Sequence, residues 1–198
     1  MWVVKLGGSL NADPVLLQWL ELLTQLGGGR VTLVSGGGAF ADEVRRTQAH
    51  WRFDDLAAHN MAVLAMAQTA HMLRALNPSL QLAASEADIR RVLRKGRTAV
   101  WSPLSLLREQ PDAHTHWDAT SDSIALGLAQ RLNAERLVLV KSCAIDPLLS
   151  LPQLGHAGVV DRRFAATAGE APFPIEMVHK DELARVRRLL LGYMSSSV

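Results

Sequence analysis

The sequence predicts an α/β fold built on a mainly parallel β-sheet that helices cover on both faces. The alternation of two kinds of segment along the chain supports this prediction. Short apolar segments typical of buried strands, such as WVVKL at residues 2–6, alternate along the chain with longer segments of helical apolar spacing. Such alternation is typical of α/β folds, in which crossover helices connect parallel strands.

The elements follow one another as strand and helix with few exceptions. Strands are predicted at residues 2–6, 30–35, 80–85, 98–103, 135–142 and 173–178. Helices are predicted at residues 13–26, 39–76 with a break around 47–55, 85–96, 118–132 and 181–194. The segment between residues 104 and 117 is polar and irregular, and the pattern weakens after Cys143.

Capping residues support several of these boundaries. Asp13 is placed to cap the first helix, Pro14 lies in its first turn, and three glycines at 27–29 end it. Ser85 and Asp88 form a capping-box pattern at the start of the helix predicted at 85–96.

The composition predicts one globular domain over residues 1–198. The 198 residues are 48% hydrophobic, enough to bury one full core, and no linker divides the chain. The formal net charge is only +2 without a Lys or Arg tract, so no nucleic-acid partner is expected. No apolar run is long enough to span a bilayer, so no membrane partner is expected either.

Cysteine usage bears on the compartment and on metal binding. Cys143 is the only cysteine, which excludes an internal disulfide and a thiolate zinc cluster. The N-terminus carries Lys5 and glycines instead of a long apolar stretch, so we expect no signal peptide and a cytoplasmic location.

Two glycine clusters suggest an anion site. Gly7-Gly8 follow the first strand directly behind Lys5, and Gly36-Gly37-Gly38 follow the second. Ligands of open α/β sheets bind at the carboxyl ends of the strands, where exposed N–H groups beside an ammonium would cradle a phosphate. An ordinary strand-to-helix turn is the alternative at this point.

Other phosphate motifs fit poorly. No glycine is followed by Lys and then Ser or Thr, as the phosphate loop of P-loop proteins requires. Residues 36–41 satisfy the dinucleotide pattern G-x-G-x-x-A, but the acids at the required distance, Asp54 and Asp55, fall in a predicted helix. The glycine loop and H-R-D loop of protein kinases are absent.

Four motifs in order resemble the amino acid kinase family, which includes acetylglutamate, aspartate, uridylate and isopentenyl phosphate kinases. They are the KxGGS opening strand, the GGG turn, the helix start TSDSIA at residues 120–125 and the apolar strand that follows it. The resemblance covers roughly residues 1–142. It implies a three-layer αβα sandwich that transfers a phosphoryl group from ATP, with Mg²⁺, to a small acidic acceptor.

The resemblance also implies how the chain is divided. An acceptor-side and phosphate-binding half would cover about residues 1–117, and a shortened nucleotide-side half about residues 118–198. Relatives of this fold commonly assemble through helices that flank the sheet, so a homo-oligomer is expected.

Catalytic and nucleotide-binding roles are carried over by position. Lys5 would neutralise the transferring phosphoryl group, Gly7 and Gly8 would donate N–H bonds to it, and Asp122 would orient the catalytic lysines. The other residues predicted for catalysis or nucleotide binding are Ser9, Ser121 and Lys141. Helix capping is the alternative role for Asp122, and a solvated strand end is the alternative for Lys141.

The acceptor side takes its own set of residues. Gly36, Gly37 and Gly38 would hold the acceptor in the family. Arg45 could bind a phosphate, although a solvated helix face is the alternative. Trp117 and Asp118, which lie just before the TSDSIA motif, are the other predicted acceptor contacts. Trp117 is a candidate wall for a flat heteroaromatic ring, with core packing as its alternative role.

The sequence departs from the family after the fifth strand. KSCAIDP stands where a D-G turn is usual, and the late segment with a second catalytic lysine is not recognisable. Lys180 is the only downstream lysine, and no motif supports giving it that role.

Within the family, WDATSDSIA and the short C-terminal half most resemble small kinases that act on an aminomethylfuran phosphate in methanofuran-type C1-carrier synthesis. The rival interpretation is a non-catalytic nucleotide-binding or storage protein on the same fold. His114, His116 and Asp118 have a spacing that metal sites also use, but we interpret them as a polar loop and predict no metal site.

Overall fold

A single six-stranded sheet organises the protein. The computed structural model describes residues 1–112 and 115–192. The strands are β1 Trp2–Leu6, β2 Val31–Ser35, β3 Leu80–Ala83, β4 Thr98–Trp101, β5 Arg136–Lys141 and β6 Ile175–His179. Their order is β3-β4-β2-β1-β5-β6, and every pairing in this sheet is parallel, which confirms the predicted α/β class.

Helices lie in the connections between the strands, except the last helix, which follows β6. They are α1 Val15–Leu26, α2 Gly38–Trp51, α3 Asp55–Leu76, α4 Glu86–Arg94, α5 Ser121–Arg131, α6 Leu151–His156, α7 Arg162–Thr167 and α8 Leu183–Leu190. Short 3-10 turns occur at Gly8–Ala12, Leu104–Leu106 and Ala168–Glu170. The sequence pattern missed α6 and α7 because each has only six residues, too few for helical periodicity to emerge.

Local signals placed several boundaries correctly. Arg52 adopts a left-handed conformation (φ 57°) between α2 and α3, within the predicted break. Ser85 and Asp88 form the predicted capping box of α4. Asp13 Oδ1 accepts the Val15 N–H at 3.0 Å, although Pro14, which was predicted in the first turn, is the N-cap residue itself.

The core lies on both faces of the sheet. On one face, Val3 and Leu139 pack with buried residues of α4, α5 and α7; on the other, Val4 and Leu33 pack with α1 and α8. Successive strand residues point to opposite faces, which explains why the central strands are apolar throughout. Helices therefore form the two outer layers of an αβα sandwich.

The connections place a switch point between β1 and β5. From β1 the chain runs to β2 on one side, whereas β5 lies on the other side of β1 and leads to β6. Lys5 and Lys141 stand near the carboxyl ends of these two strands. Such a switch point is where open α/β sheets bind ligands.

None of the helices in residues 1–112 and 115–192 combines the length and apolar character that a bilayer crossing requires. The division into halves at about residue 117 stays a prediction, although β1–β4 precede that point and β5 and β6 follow it.

Candidate active site

Three buried charges form the centre of the site. Lys5 Nζ lies 2.8 Å from Asp122 Oδ1, and Lys141 Nζ lies 2.5 Å from Asp122 Oδ2. All three residues are buried: Lys5 is 4% exposed, Lys141 6% and Asp122 3%. Alternation along the parallel strands turns both lysines toward the face covered by α5, whose first turn carries Asp122.

The electrostatics keep the Asp122 carboxylate ionised. Burial acts to raise the pKa of Asp122, but the charges of Lys5 and Lys141 and their hydrogen bonds outweigh it and lower the pKa from 3.8 to about 2. Burial and the neighbouring Lys5 charge lower the pKa of Lys141, and the Asp122 carboxylate opposes that shift.

By formal charge, the two lysines and one aspartate of this cluster leave one positive charge in excess. An uncompensated buried charge is costly, and a structural network would be expected to balance its charges. The excess is instead suited to an anion that binds above the lysines. A compact ammonium is also an effective point charge for a phosphoryl group.

The two glycine clusters meet at the same edge of the sheet. A Cβ on Gly8 would lie 2.4 Å from the Gly38 nitrogen, and one on Gly36 would lie 2.5 Å from the Gly8 nitrogen. Gly38 has a φ of 54°, which side chains disfavour. Two loops can therefore approach backbone to backbone only because these positions are glycine.

The structure separates the roles of the predicted glycines. Gly8, Gly36, Gly37 and Gly38 line a cavity that opens above the charged cluster, whereas Gly7 does not. The Gly7 N–H instead donates to Val140 O at 3.0 Å and extends the β1–β5 ladder. The predicted N–H bond from Gly7 to phosphate is therefore wrong for this geometry, because that donor is already used.

The Gly36 N–H is also used within the protein, although Gly36 lines the cavity. Its N–H donates to Leu6 O at 2.9 Å, so it shapes the cavity without offering this donor to a ligand. Ser9 and Ser121, the other predicted nucleotide contacts, both line the cavity. The Ser9 hydroxyl lies 2.6 Å from that of Ser142, which joins the ends of β1 and β5.

The cavity above the charged cluster has a volume of about 970 Å³. Trp117 lies along its wall and donates from Nε1 to Gln48 Oε1 at 2.7 Å. The Arg45 guanidinium lies 4.4 Å from the Trp117 ring centroid and also pairs with Asp42 at 2.8 Å. Trp117 and Arg45 thus form an aromatic and cationic part of the cavity wall on the α2 side, and Gln48 holds the Trp117 ring from outside the lining.

The loop before α5 borders the same cavity. Asp118 is exposed and lies 3.8 Å from Arg162, and His116 Nδ1 lies 3.2 Å from Asp55 Oδ2. His114 lies outside the described residues. Among the residues that are described, no group of three or more His, Cys, Asp or Glu side chains is placed to hold a metal ion.

Lys180 does not join the cluster. Its Nζ lies 2.9 Å from Asp13 Oδ2, at the start of α1 and outside the cavity lining. The second lysine at Asp122 is instead Lys141, from the end of β5.

Sequence reasoning missed Asp161. Its carboxylate accepts the Thr120 and Ser123 N–H groups at 3.0 and 2.9 Å and so caps α5 from another part of the chain. The capping role considered for Asp122 is therefore filled by Asp161. A local signal existed, because Asp161 also N-caps α7 through Phe164 N at 2.7 Å, but nothing local pointed to α5.

The parallel sheet, covered by helices on both faces and with a buried Lys-Asp-Lys cluster at its switch point, defines a three-layer α/β protein. The chain belongs to the amino acid kinase family, whose sequence model matches residues 1–144. This match confirms the resemblance drawn from the four motifs.

The chain is also similar in sequence to a protein of known activity. A curated relative, the [5-(aminomethyl)furan-3-yl]methyl phosphate kinase of Methanocaldococcus jannaschii, is 25% identical over 140 residues, which are 70% of this chain and 64% of the relative. The match thus spans less than two thirds of that protein's length.

Two solved structures share the fold. Uridylate kinase from Archaeoglobus fulgidus has a TM-score of 0.71 and 16% identity, over 96% of this chain and 95% of that chain. UMP kinase from Bacillus anthracis has a TM-score of 0.69 and 19% identity, over 96% and 91%.

Proposed function

We propose that the protein is an ATP-dependent kinase that phosphorylates a small acceptor bearing a phosphate or carboxylate, and specifically an aminomethylfuran phosphate. The observation that carries the proposal is the buried Lys5–Asp122–Lys141 cluster, with its excess positive charge, beneath the cavity. Phosphoryl transfer requires mainly alignment and positive charge around the transferred group.

Each part of the cluster has a role in this reaction. Lys5 and Lys141 face the transferring group from neighbouring strands and stabilise the charge that spreads over its oxygens. The ionised Asp122 holds both ammonium groups in place. Gly8 carries the backbone donor on this side, with Ser9 and Ser121 on the nucleotide border of the cavity.

Mg²⁺ would arrive with the nucleotide as Mg-ATP. Magnesium usually keeps several waters and binds through substrate phosphates and one or two carboxylates. The Asp122 carboxylate is already shared by two lysines, and the described residues offer no acidic cluster for a resident ion. These observations fit a metal that the substrate brings.

The wall formed by Trp117 and Arg45 supports the choice of acceptor. A flat aromatic face beside a guanidinium suits a heteroaromatic ring that carries a phosphate. Gly37 and Gly38 would border the acceptor on the side nearest Gly8. The acceptor would then lie close enough to the phosphate at Gly8 for in-line transfer. The name of the curated relative supports the same choice.

The test is a competition among aminomethylfuran phosphate, UMP, isopentenyl phosphate, acetylglutamate and aspartate, with labelled Mg-ATP. We expect the label to move to aminomethylfuran phosphate. Transfer mainly to another acceptor would overturn the acceptor and leave the kinase class standing. Tight ATP binding without transfer to any of them would favour the non-catalytic binding protein.

Two further expectations belong to this proposal. A homo-oligomer is supported by exposed apolar side chains on the outer helices, with Trp51 72% exposed at the end of α2 and Leu64 42% exposed on α3. A cytoplasmic location agrees with the chemistry of an ATP-dependent enzyme, since ATP is supplied there.

A further inference from the structure

Asp161 has an unusual number of hydrogen-bond donors around its carboxylate. Oδ2 accepts the N–H and the hydroxyl of Thr120, both at 3.0 Å, and the N–H of Ser123 at 2.9 Å. Oδ1 accepts the hydroxyl of Ser123 and the N–H of Phe164. One side chain thus satisfies donors from two separate segments.

The consequence is that one carboxylate caps two helices. Asp161 is the N-cap of α7, and it also occupies the N-terminus of α5, whose own N-cap residue Thr120 makes no side-chain capping bond. A carboxylate at a helix N-terminus is favoured by the helix dipole and by the unpaired N–H groups there. The start of α5 therefore depends on Asp161, which follows α5 in the chain after β5 and α6.

This contact bears directly on the charged cluster. Asp122 lies between Thr120 and Ser123, the two residues that Asp161 holds. The backbone N–H of Asp161 also donates to Asp122 Oδ2 at 3.3 Å, the same oxygen that accepts from Lys141. The Arg163 N–H donates to Asp118 O at 2.9 Å, which links α7 to the loop before α5 a second time.

We propose that Asp161 is a positioning residue for phosphoryl transfer. Its carboxylate fixes the first turn of α5, and its backbone N–H holds Asp122, so that both lysines stay aimed into the cavity. This inference rests on the proposed kinase function. Because small misplacements of reacting groups are costly, loss of the contact is expected to act on kcat more than on KM.

The key variant is Asp161→Ser. Serine is as good an N-cap as aspartate, so it can keep the Phe164 bond of α7. It is one bond shorter and has a single oxygen, so it cannot also hold Thr120 and Ser123. The matched control is Ser85→Ala, which removes the cap of α4, a helix that packs on β3 and β4 away from the cavity.

We expect Asp161→Ser to lower kcat by roughly 10- to 100-fold, with both KM values within about 3-fold of wild type. Ser85→Ala should lower the melting temperature and keep kcat. Amide hydrogen exchange provides a readout without turnover: in Asp161→Ser, the Thr120 and Ser123 amides should exchange faster while the Phe164 amide stays protected.

The outcomes separate the two proposals. Wild-type kcat in Asp161→Ser, a change confined to KM, or unchanged exchange at Thr120 and Ser123 would each overturn the positioning role. If wild-type protein transfers no phosphoryl group although the exchange pattern is as expected, the kinase proposal fails. The Asp161 contact with α5 would then stand as structural, and its catalytic role would fall with the kinase.

Discussion

Lys141 Nζ lies 2.5 Å from Asp122 Oδ2, and this contact joins the end of β5 to the first turn of α5. The same carboxylate also holds Lys5 through its other oxygen. Two buried lysines therefore share one carboxylate at the switch point of the sheet.

Lys5→Ala should lower kcat by about 100-fold or more, because it removes a charge aimed at the transferring group. Folding should persist, since Asp122 keeps Lys141 as a partner. Steady-state transfer assays and thermal melting measure the two effects. Wild-type turnover in this variant would exclude Lys5 from the mechanism.

Asp122→Asn should abolish turnover and also lower stability by about 3–5 kcal/mol, because two buried lysines lose their shared counter-ion. The loss of a helix cap is not involved, because Asp161 caps α5. Urea denaturation measures the stability. Addition of ATP should recover part of the loss, since its phosphates supply the missing negative charge.

Acid should remove the stabilisation that Asp122 provides. Its folded pKa, about 2, lies below the ordinary 3.8, so the contribution is present above pH 4 and is lost as the pH falls toward 2. The expected loss is roughly 2 kcal/mol. In urea denaturation between pH 2 and 6, the stability gap between wild type and Asp122→Asn should narrow below pH 4. A gap that stays constant would contradict the ion pairs.

Gly8→Ala should destabilise the protein by about 1–3 kcal/mol and weaken ATP binding, because the new Cβ would strike the Gly38 backbone 2.4 Å away. Gly169→Ala is the control, since nothing lies within 4 Å of a Cβ there. Thermal melting and calorimetric titration with Mg-ATP compare the pair. Equal behaviour of both variants would mean that the close approach of the loops is unimportant.

Trp117→Ala should raise the acceptor KM by about 10-fold and leave the KM for ATP unchanged, because the ring that carries the Arg45 contact is lost. Leu148→Ala is the control, because Leu148 is 89% exposed and lies outside the cavity lining. Initial rates against each substrate distinguish the two. A rise in the KM for ATP alone would move Trp117 out of the acceptor side.

Local chemistry allowed much of the fold to be predicted. The break around Arg52, the capping box of Ser85 and Asp88, and the apolar central strands all depend on neighbours within a few residues. The glycines, Lys5 and Asp122 could be singled out for the same reason, because each lies in a short motif at an element boundary.

The sequence by itself therefore determined the class of fold, the two glycine clusters that meet at one edge of the sheet, and the charged residues Lys5 and Asp122. Only the tertiary structure decided which donors are free and which charges meet. Gly7 uses its N–H on Val140 O, Lys180 pairs with Asp13, and Asp161 caps a helix that precedes it. Such contacts join residues far apart in sequence, and hydrogen bonds and ion pairs act over a few ångströms of space. They exist only once the strands and helices have packed.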